Sequence, residues 1–366
     1  MAISDRPLYY SDYLRLEQLL ACQHLESAAH GEPAHDEMLF IVTHQAYELW
    51  FKQILWELDA VLALFDQQTV AEKDVGRAVL HLQRIGVIQR VLLGQIDVLD
   101  TMTPLDFLDF RDFLIPASGF QSLQFRFIEN KWGVRPSQRM AIGSMPYEAR
   151  FTGPDQARLK ALEQEPSLFD LVEQWLRRTP FLHLGPFDFW QAYREAVAVM
   201  LASDRRLIEE NALFTPDKKA AQLRMLEITE VQFGALFDRE QYAVLREEGR
   251  FQCSHEAFQA ALLINLYRDE PILHLPFRLL SSLMDVDDNF TQWRHRHALM
   301  ALRMIGRKIG TGGSSGHDYL RQTTEQHRVF NDLFNLSTFF IPRSALPALP
   351  PTVREAMGFQ FQDKAP

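Results

Sequence analysis

Two histidines lie in segments whose other side chains are mostly apolar or aromatic, and such histidines can do chemistry. In a helix, His44 shares a face with Phe40, and His297 shares a face with Trp293 and Met300. A neutral imidazole that projects from an apolar helix can ligate haem iron or hydrogen-bond a flat ligand. Each ring can also be a core histidine bonded to a backbone carbonyl, so the two residues alone leave both interpretations open.

Arg111 is the candidate for binding an anion. It lies among the aromatic side chains of residues 107–114, where a guanidinium needs a negatively charged partner. Asp109 and Asp112 can supply that partner within the protein, and the carboxylate of a ligand is the second interpretation. The next residues, 116–122, are mostly small, so their backbone can approach a ligand closely.

The segment 310–316 contains four glycines in seven positions, together with Thr311 and two serines. Glycine permits positive φ angles and close backbone contact with a ligand, and the hydroxyls can bind an ammonium or a carboxylate. A helix end followed by a turn also favours glycine, but it does not require four. We therefore predict a ligand-binding loop. Residues 312–316 formally match the nucleophile elbow of hydrolases, but that elbow follows a strand, and the segment before it has a helical pattern.

Helices must position these groups, because apolar residues recur at helical spacing along most of the chain and alternating strand patterns are scarce. The run of residues 38–42 is apolar on all sides, which predicts an interior position. Thr69 and Ser254 are predicted helix N-caps. The sequence therefore predicts an all-α fold, a large helical bundle, with helices over residues 36–65, 69–99, 155–178, 187–211, 216–233, 254–267, 276–308 and 317–336.

Two segments lack the helical pattern. Residues 131–154 carry three glycines and three prolines, which predicts a long irregular connection, either within one domain or between two. The proline-rich end of the chain, residues 346–366, is predicted to be an extended tail.

Composition excludes several classes of function. The net charge of −10 argues against a nucleic-acid partner, which would need a basic surface. Cys22 and Cys253 form neither a disulfide framework nor a zinc-binding pair, so we expect a reducing, cytoplasmic setting. The N-terminus lacks a signal-peptide pattern and the apolar runs are too short for a bilayer, so no membrane association is expected.

Several blocks, taken in order, resemble the tryptophan 2,3-dioxygenase family. They extend from Tyr10 to about residue 350, which is most of the chain, and together they are far more specific than any one of them. The blocks are residues 10–14, residues 35–50 around His44, residues 110–126 around Arg111, residues 293–316 around His297, and residues 332–338.

The resemblance implies a haem-dependent dioxygenase that opens the C2–C3 bond of the L-tryptophan indole with O₂. The product would be N-formyl-L-kynurenine, in the first step of tryptophan degradation by the kynurenine pathway. One haem b is implied for each subunit, with His297 as the axial ligand of the iron. His44 would be the distal histidine that hydrogen-bonds the indole N–H, either as a catalytic base or, as we favour, only as a hydrogen-bond partner.

The remaining roles also come from the resemblance. Phe40 would pack on the indole, Arg111 would bind the carboxylate, and Thr311 would bind the ammonium and carboxylate. Phe107, at a position where family members carry Tyr or Phe, would be a further substrate-binding residue. Ser118 and Gly119 would lie against the haem. The implied organisation is an N-terminal segment, residues 1–30, whose Tyr10 and Tyr13 reach a neighbouring subunit's site in a homotetramer, then a single haem-binding catalytic domain, residues 31–345, and the tail.

Two other functions are compatible with this pattern. A haem enzyme of this type could oxidise a substituted tryptophan, or insert one oxygen atom, in secondary metabolism. A helical binding protein could keep the scaffold without catalysis, but a scaffold has no need for His44, Arg111, His297 and Thr311 together.

Overall fold

The computed structural model describes residues 7–135, 151, 153–184, 187–306 and 327–358. Within these ranges the regular structure is almost entirely helical, which confirms the predicted all-α class. The strands found there are two residues each, His183–Leu184 and Phe187–Asp188, and they pair antiparallel. No helix in the described ranges is both long and apolar enough to cross a membrane.

Sixteen α-helices are found in the described ranges, and we number them in chain order. The first eight are α1 (Tyr10–Leu14), α2 (Leu16–Leu19), α3 (Glu26–Ala29), α4 (His35–Phe65), α5 (Glu72–Leu99), α6 (Pro104–Arg111), α7 (Leu123–Trp132) and α8 (Gly153–Leu162). The others are α9 (Leu168–Arg177), α10 (Phe189–Glu210), α11 (Pro216–Phe237), α12 (Arg239–Glu247), α13 (His255–Leu266), α14 (His274–Ile305), α15 (Asn331–Asn335) and α16 (Pro351–Met357). Short 3₁₀ turns lie at Asp112–Leu114, Gly119–Gln121, Pro180–Leu182, Pro271–Leu273, Leu336–Phe339 and Arg343–Ala345.

Three long helices, α4, α5 and α14, form the centre of the bundle. The helix α5 packs along both α4 and α14, so that it joins the other two. Apolar residues at helical spacing make this contact, among them Val61, Leu82 and Leu283, which are completely buried. The helix α7 packs beside α4 and reaches the same side of the bundle. This arrangement holds α4, α7 and α14 around one cavity.

Local sequence explains where several helices begin. Ser254 accepts a hydrogen bond from the backbone N–H of Ala257 and caps α13, as predicted. Thr69, however, does not cap α5, which begins at Glu72 after Ala71. The cap prediction was wrong because residue type alone does not fix which turn of the chain becomes helical.

The helix predicted over residues 155–178 is two helices, α8 and α9. Pro166 cannot continue a helix because it lacks a backbone N–H. Ser167 then caps α9 by accepting from the N–H of Asp170, whose carboxylate accepts from the N–H of Ser167 in return. Proline and a capping serine together therefore start a new helix.

The tail was predicted to be extended from residue 346, and this was wrong for residues 351–357, which form α16. Proline is tolerated in the first turn of a helix, where its missing N–H has no partner to lose. Val353 and Met357 lie one turn apart and are buried against the core. Burial of this apolar side favours the helix over an extended chain.

The ends of the predicted connection at residues 131–154 are helical, since α7 reaches Trp132 and α8 begins at Gly153. Gly133 ends α7 with a φ of 124°, and a Cβ there would lie 2.7 Å from Cβ of Phe169. Most of the connection, residues 136–150, lies outside the described residues, so that prediction stays open.

Candidate active site

A cavity of about 290 Å³ lies between α4, α6, α7 and α14, with the end of α5 as one wall. Most side chains that line it are apolar or aromatic, which is typical of a site for an organic ligand. The sequence-predicted residues found among its lining are Phe40, His44, Phe107, Arg111, Ser118, Gly119 and His297.

His44 lies on α4 and lines the cavity, and a backbone carbonyl determines which of its ring nitrogens carries the hydrogen. Its Nδ1 is 2.7 Å from the carbonyl oxygen of Phe40, one turn earlier, and must donate its hydrogen there because a carbonyl only accepts. Burial lowers the pKa of His44, against smaller opposite effects of this hydrogen bond and of Glu48. The ring is therefore neutral, with Nε2 as an acceptor.

His297 projects from α14 into the same cavity. Burial, and then the nearby His44, lower the pKa of His297 to about 4, so this ring is neutral as well. Its Nδ1 is buried and has no hydrogen-bond partner among the described residues. The ring stacks on Trp293, with ring centres 5.1 Å apart and planes inclined by 22°. Neutral imidazole is the form that binds a metal ion.

One end of the cavity is aromatic. The ring of Phe40 lies 5.7 Å from that of Phe107 and 5.6 Å from that of Phe110. Met102 and Met304 pack in the same cluster. Rings and thioethers of this kind offer flat, polarisable surfaces, which suit an aromatic ligand.

Arg111 is the last residue of α6 and lines the cavity. Its side chain is only 14% exposed, and its Nη1 lies 3.4 Å from Oδ1 of Asp112, whose own side chain is 79% exposed. The predicted structural partner Asp112 is thus in place. A guanidinium has five N–H donors, so Arg111 can contact Asp112 and also bind a ligand carboxylate.

Ser118 and Gly119 form the cavity wall between α6 and α7. The side chain of Gln121 accepts from the N–H of Ser118, and Oγ of Ser118 accepts from the N–H of Phe120. These hydrogen bonds hold the turn Gly119–Gln121 in place. A Cβ on Gly119 would meet no atom within 4 Å, so the backbone there faces open space.

With this geometry established, comparison with known proteins identifies the family. A sequence model described as tryptophan 2,3-dioxygenase matches residues 2–340. A protein of Bdellovibrio bacteriovorus named "Tryptophan 2,3-dioxygenase" is 52% identical over 355 residues, which cover 97% of this chain and 99% of that protein. The chain belongs to the tryptophan 2,3-dioxygenase family. A protein of the same name from Alteromonas mediterranea is 47% identical, over 97% of this chain and 98% of that protein. Another from Dictyostelium discoideum is 45% identical, over 98% of this chain and 90% of that protein.

Three residues predicted from the resemblance to the tryptophan 2,3-dioxygenase family are not placed at this cavity. Tyr10 and Tyr13 lie on α1 and are 74% and 70% exposed, and they do not line the cavity of their own chain. Thr311, with the rest of the glycine-rich segment 310–316, lies outside the described residues. Their roles stay predictions.

A buried cluster of three charged residues and a histidine also lines the cavity, and the sequence did not predict it. Glu129 on α7 accepts from Arg126 at 2.5 Å and, through its other oxygen, from Arg294 at 3.1 Å and from Nδ1 of His327 at 3.2 Å. Burial would raise the pKa of Glu129, but Arg126, His327 and Arg294 hold it below its usual value. All four side chains line the cavity.

Only part of this cluster has a sequence signal. Arg126 and Glu129 are three residues apart, so they share a helix face, and both lie among apolar residues. Nothing in the sequence shows that Arg294 and His327, 165 and 198 residues away from Glu129, join them.

Proposed function

We propose that this chain catalyses the reaction for which its relatives are named, the haem-dependent dioxygenation of L-tryptophan. The C2–C3 bond of the indole breaks, both atoms of O₂ enter the product, and N-formyl-L-kynurenine results, in the first step of tryptophan degradation. Membership of the family supports this proposal. The observation that carries it is one apolar cavity into which two neutral histidines project from opposite helices, with Arg111 at its edge.

The residues present fit a haem. His297 is a neutral imidazole on an apolar wall, and its buried Nδ1 has no partner in the described chain. Such a ring is the axial ligand that haem iron takes in many proteins. We propose that His297 ligates the iron of one haem b per subunit and that Ser118 and Gly119 lie against the macrocycle. Bound there, haem supplies the activation of O₂, and the protein supplies orientation and polarity.

The α4 side of the cavity suits the amino acid. Arg111 would bind the substrate carboxylate, with Thr311 as a further predicted contact for the carboxylate and ammonium groups. The rings of Phe40 and Phe107 would pack on the indole. Because these walls exclude water, the contact between guanidinium and carboxylate is stronger than in solution. Orientation of this kind lowers a reaction barrier by up to roughly 7–11 kcal/mol.

His44 would hydrogen-bond the indole N–H through Nε2, the ring nitrogen that remains an acceptor once Nδ1 donates to Phe40. A lowered pKa makes a histidine a weaker base, and the indole N–H is a very weak acid. We therefore propose that His44 orients the indole through a hydrogen bond and does not remove its proton.

Exposed apolar side chains support the proposed homotetramer. Tyr10 and Tyr13 are exposed, and so are Met38 and Val42 of α4, although their apolar run was predicted to be interior. Large exposed apolar residues at neighbouring positions mark contacts between proteins. We propose that α1 reaches the cavity of a neighbouring subunit. The free thiols of Cys22 and Cys253 support a cytoplasmic location.

The test is an anaerobic spectrum of the ferrous protein with and without L-tryptophan, followed by ¹⁸O₂. We expect a haem spectrum, a change on adding L-tryptophan, and a product that carries two labelled atoms. One labelled atom, or turnover of substituted tryptophans alone, would support an oxygenase of secondary metabolism instead. A protein that stays colourless when haem is supplied would overturn the proposal.

A further inference from the structure

Four residues that line the cavity take no part in the proposed reaction. They are Arg126, Glu129, Arg294 and His327, which we call the Glu129 cluster. A buried ion pair stabilises a fold little, because the free energy needed to remove both charges from water can be as large as the free energy gained from their attraction. A cluster of this kind on a cavity wall suggests a charged ligand.

Arg294 has spare capacity to bind such a ligand. It is 5% exposed, and one hydrogen bond, from Nη2 to Oε1 of Glu129, is its polar contact in the described chain. Its guanidinium carbon also lies 5.9 Å from the ring centre of Phe125 and 5.8 Å from that of Phe290. Arginine normally holds a carboxylate with two parallel hydrogen bonds, and this arrangement leaves part of the fork for a second anion.

His327 gives a second, independent indication. It is 2% exposed, its Nδ1 is bonded to Glu129, and its Nε2 is buried with no partner among the described residues. A buried polar atom without a partner costs free energy unless a ligand or water satisfies it. A new anion beside this ring would favour its protonated form, and Nε2–H would then donate to that anion.

The position of Arg294 relates the cluster to the proposed iron ligand. Arg294 precedes His297 by three residues on α14, and both line the cavity. Three residues of helix correspond to a rise of about 4.5 Å. A flat ligand held at its centre by His297 would therefore extend its edge toward Arg294.

We propose that Arg294, supported by Glu129 and His327, binds a carboxylate at the edge of the planar cofactor, namely a propionate of the porphyrin. The inference rests on the proposed function, and it assigns the two arginines of the cavity different anions. Arg111 takes the carboxylate of the amino acid, and Arg294 takes that of the cofactor.

The experiment uses porphyrin without iron, so that the bond between iron and His297 plays no part. Fluorescence titration of the full-length, haem-free protein compares protoporphyrin IX with its dimethyl ester, which has the same ring but no charge. We expect the acid to bind at least about tenfold more tightly than the ester. This is the range of a charge-assisted hydrogen bond.

Arg294→Met should lower the preference for the acid roughly tenfold to a hundredfold and leave binding of the ester unchanged. The matched control is Arg296→Met on the same helix, which removes a guanidinium bonded to Asp97 and to the carbonyl of Leu93 and should change neither affinity. If Arg294→Met does not fold, Glu129→Gln tests whether the cluster binds an anion. Loss of the negative charge of Glu129 should strengthen the preference for the acid.

Two results would overturn the inference. In the first, the acid and the ester bind equally well to a protein that still gives a normal ferrous-haem spectrum. In the second, Arg294→Met raises the KM for L-tryptophan, and the variant still prefers the acid to the ester. The anion bound by Arg294 would then be the carboxylate of the substrate. Failure to bind iron porphyrin through His297 would instead contradict the proposed function, which separates the two failures.

Discussion

The helices α4 and α14 have 31 and 32 residues and form opposite walls of the cavity, yet they hold their histidines differently. His44 donates from Nδ1 to the backbone of its own helix. His297 has a buried Nδ1 without a partner in the described chain and is held by its stack on Trp293. Both rings are neutral, so the difference between them lies in what their nitrogens bond.

This difference teaches how one residue type can serve two purposes in one cavity. A ring with Nδ1 bonded to a carbonyl has a fixed tautomer and a fixed orientation, which suits recognition of a ligand N–H. A ring without that bond depends on packing for its orientation, and a metal ion at one nitrogen would add the missing restraint. The difference supports the proposal that the α14 wall holds the cofactor and the α4 wall holds the substrate.

The largest effect should come from His297→Ala, which removes the proposed iron ligand. We expect loss of the five-coordinate ferrous spectrum and activity at least about a hundredfold lower, since even changes around metal ligands commonly cost tenfold to a hundredfold. Absorption spectra of the haem-supplied protein measure this. His295→Ala, on the outer side of the same helix, is the control, and a normal spectrum for His297→Ala would refute the assignment of the α14 wall.

Arg111→Met should have the second largest effect, and it should weaken binding of the substrate without changing binding of the haem. Loss of one partner from a buried charge pair costs about 2–4 kcal/mol, which corresponds to a roughly thirtyfold to thousandfold rise in the KM for L-tryptophan. Steady-state kinetics and the unchanged haem spectrum are the measurements. Arg111→Lys should be intermediate, because an ammonium cannot form two parallel hydrogen bonds. An unchanged KM would mean that Asp112 is the true partner of Arg111.

His44→Ala should have a smaller effect and would sharpen the comparison with His297. The variant should keep its haem and lose about tenfold to a hundredfold in kcat/KM, which is the value of one hydrogen bond to a buried partner. Kinetics with L-tryptophan test this directly. Complete inactivity, with haem and tryptophan still bound, would show that His44 is an obligatory base.

The smallest effect should be on the pH dependence of stability without haem. The pKa of His297 is lowered to about 4, so between pH 6.5 and about 4 the unfolded chain binds a proton there and the folded chain does not. Stability therefore falls as the pH falls through this window, by about 2 kcal/mol between pH 7 and pH 5 for this group.

Urea unfolding of the haem-free protein at the two pH values measures this change. His297→Phe should flatten the dependence, and His295→Phe, at an exposed position, should leave it as it is. Burial also lowers the pKa of His44 and of His327, and both would contribute to the slope that remains in His297→Phe. An identical slope in wild type and His297→Phe would contradict the neutral state of His297.

The sequence by itself determined what depends on neighbouring residues. The all-α class, the cap at Ser254, and the placement of His44 and His297 on apolar helix faces follow from helical spacing and local hydrogen bonds, and the structure agrees. The resemblance, carried by blocks in order, predicted the family, which the comparisons show.

Only the tertiary structure decided what depends on distant partners. Glu129 meets Arg294 across 165 residues, and Val353 stabilises α16 by burial against a core formed elsewhere. The exposure of Val42 likewise follows from which helices surround α4 and cannot be read from its own apolar run. Helical periodicity tells which face is apolar, but which charges share a cavity depends on how the helices pack.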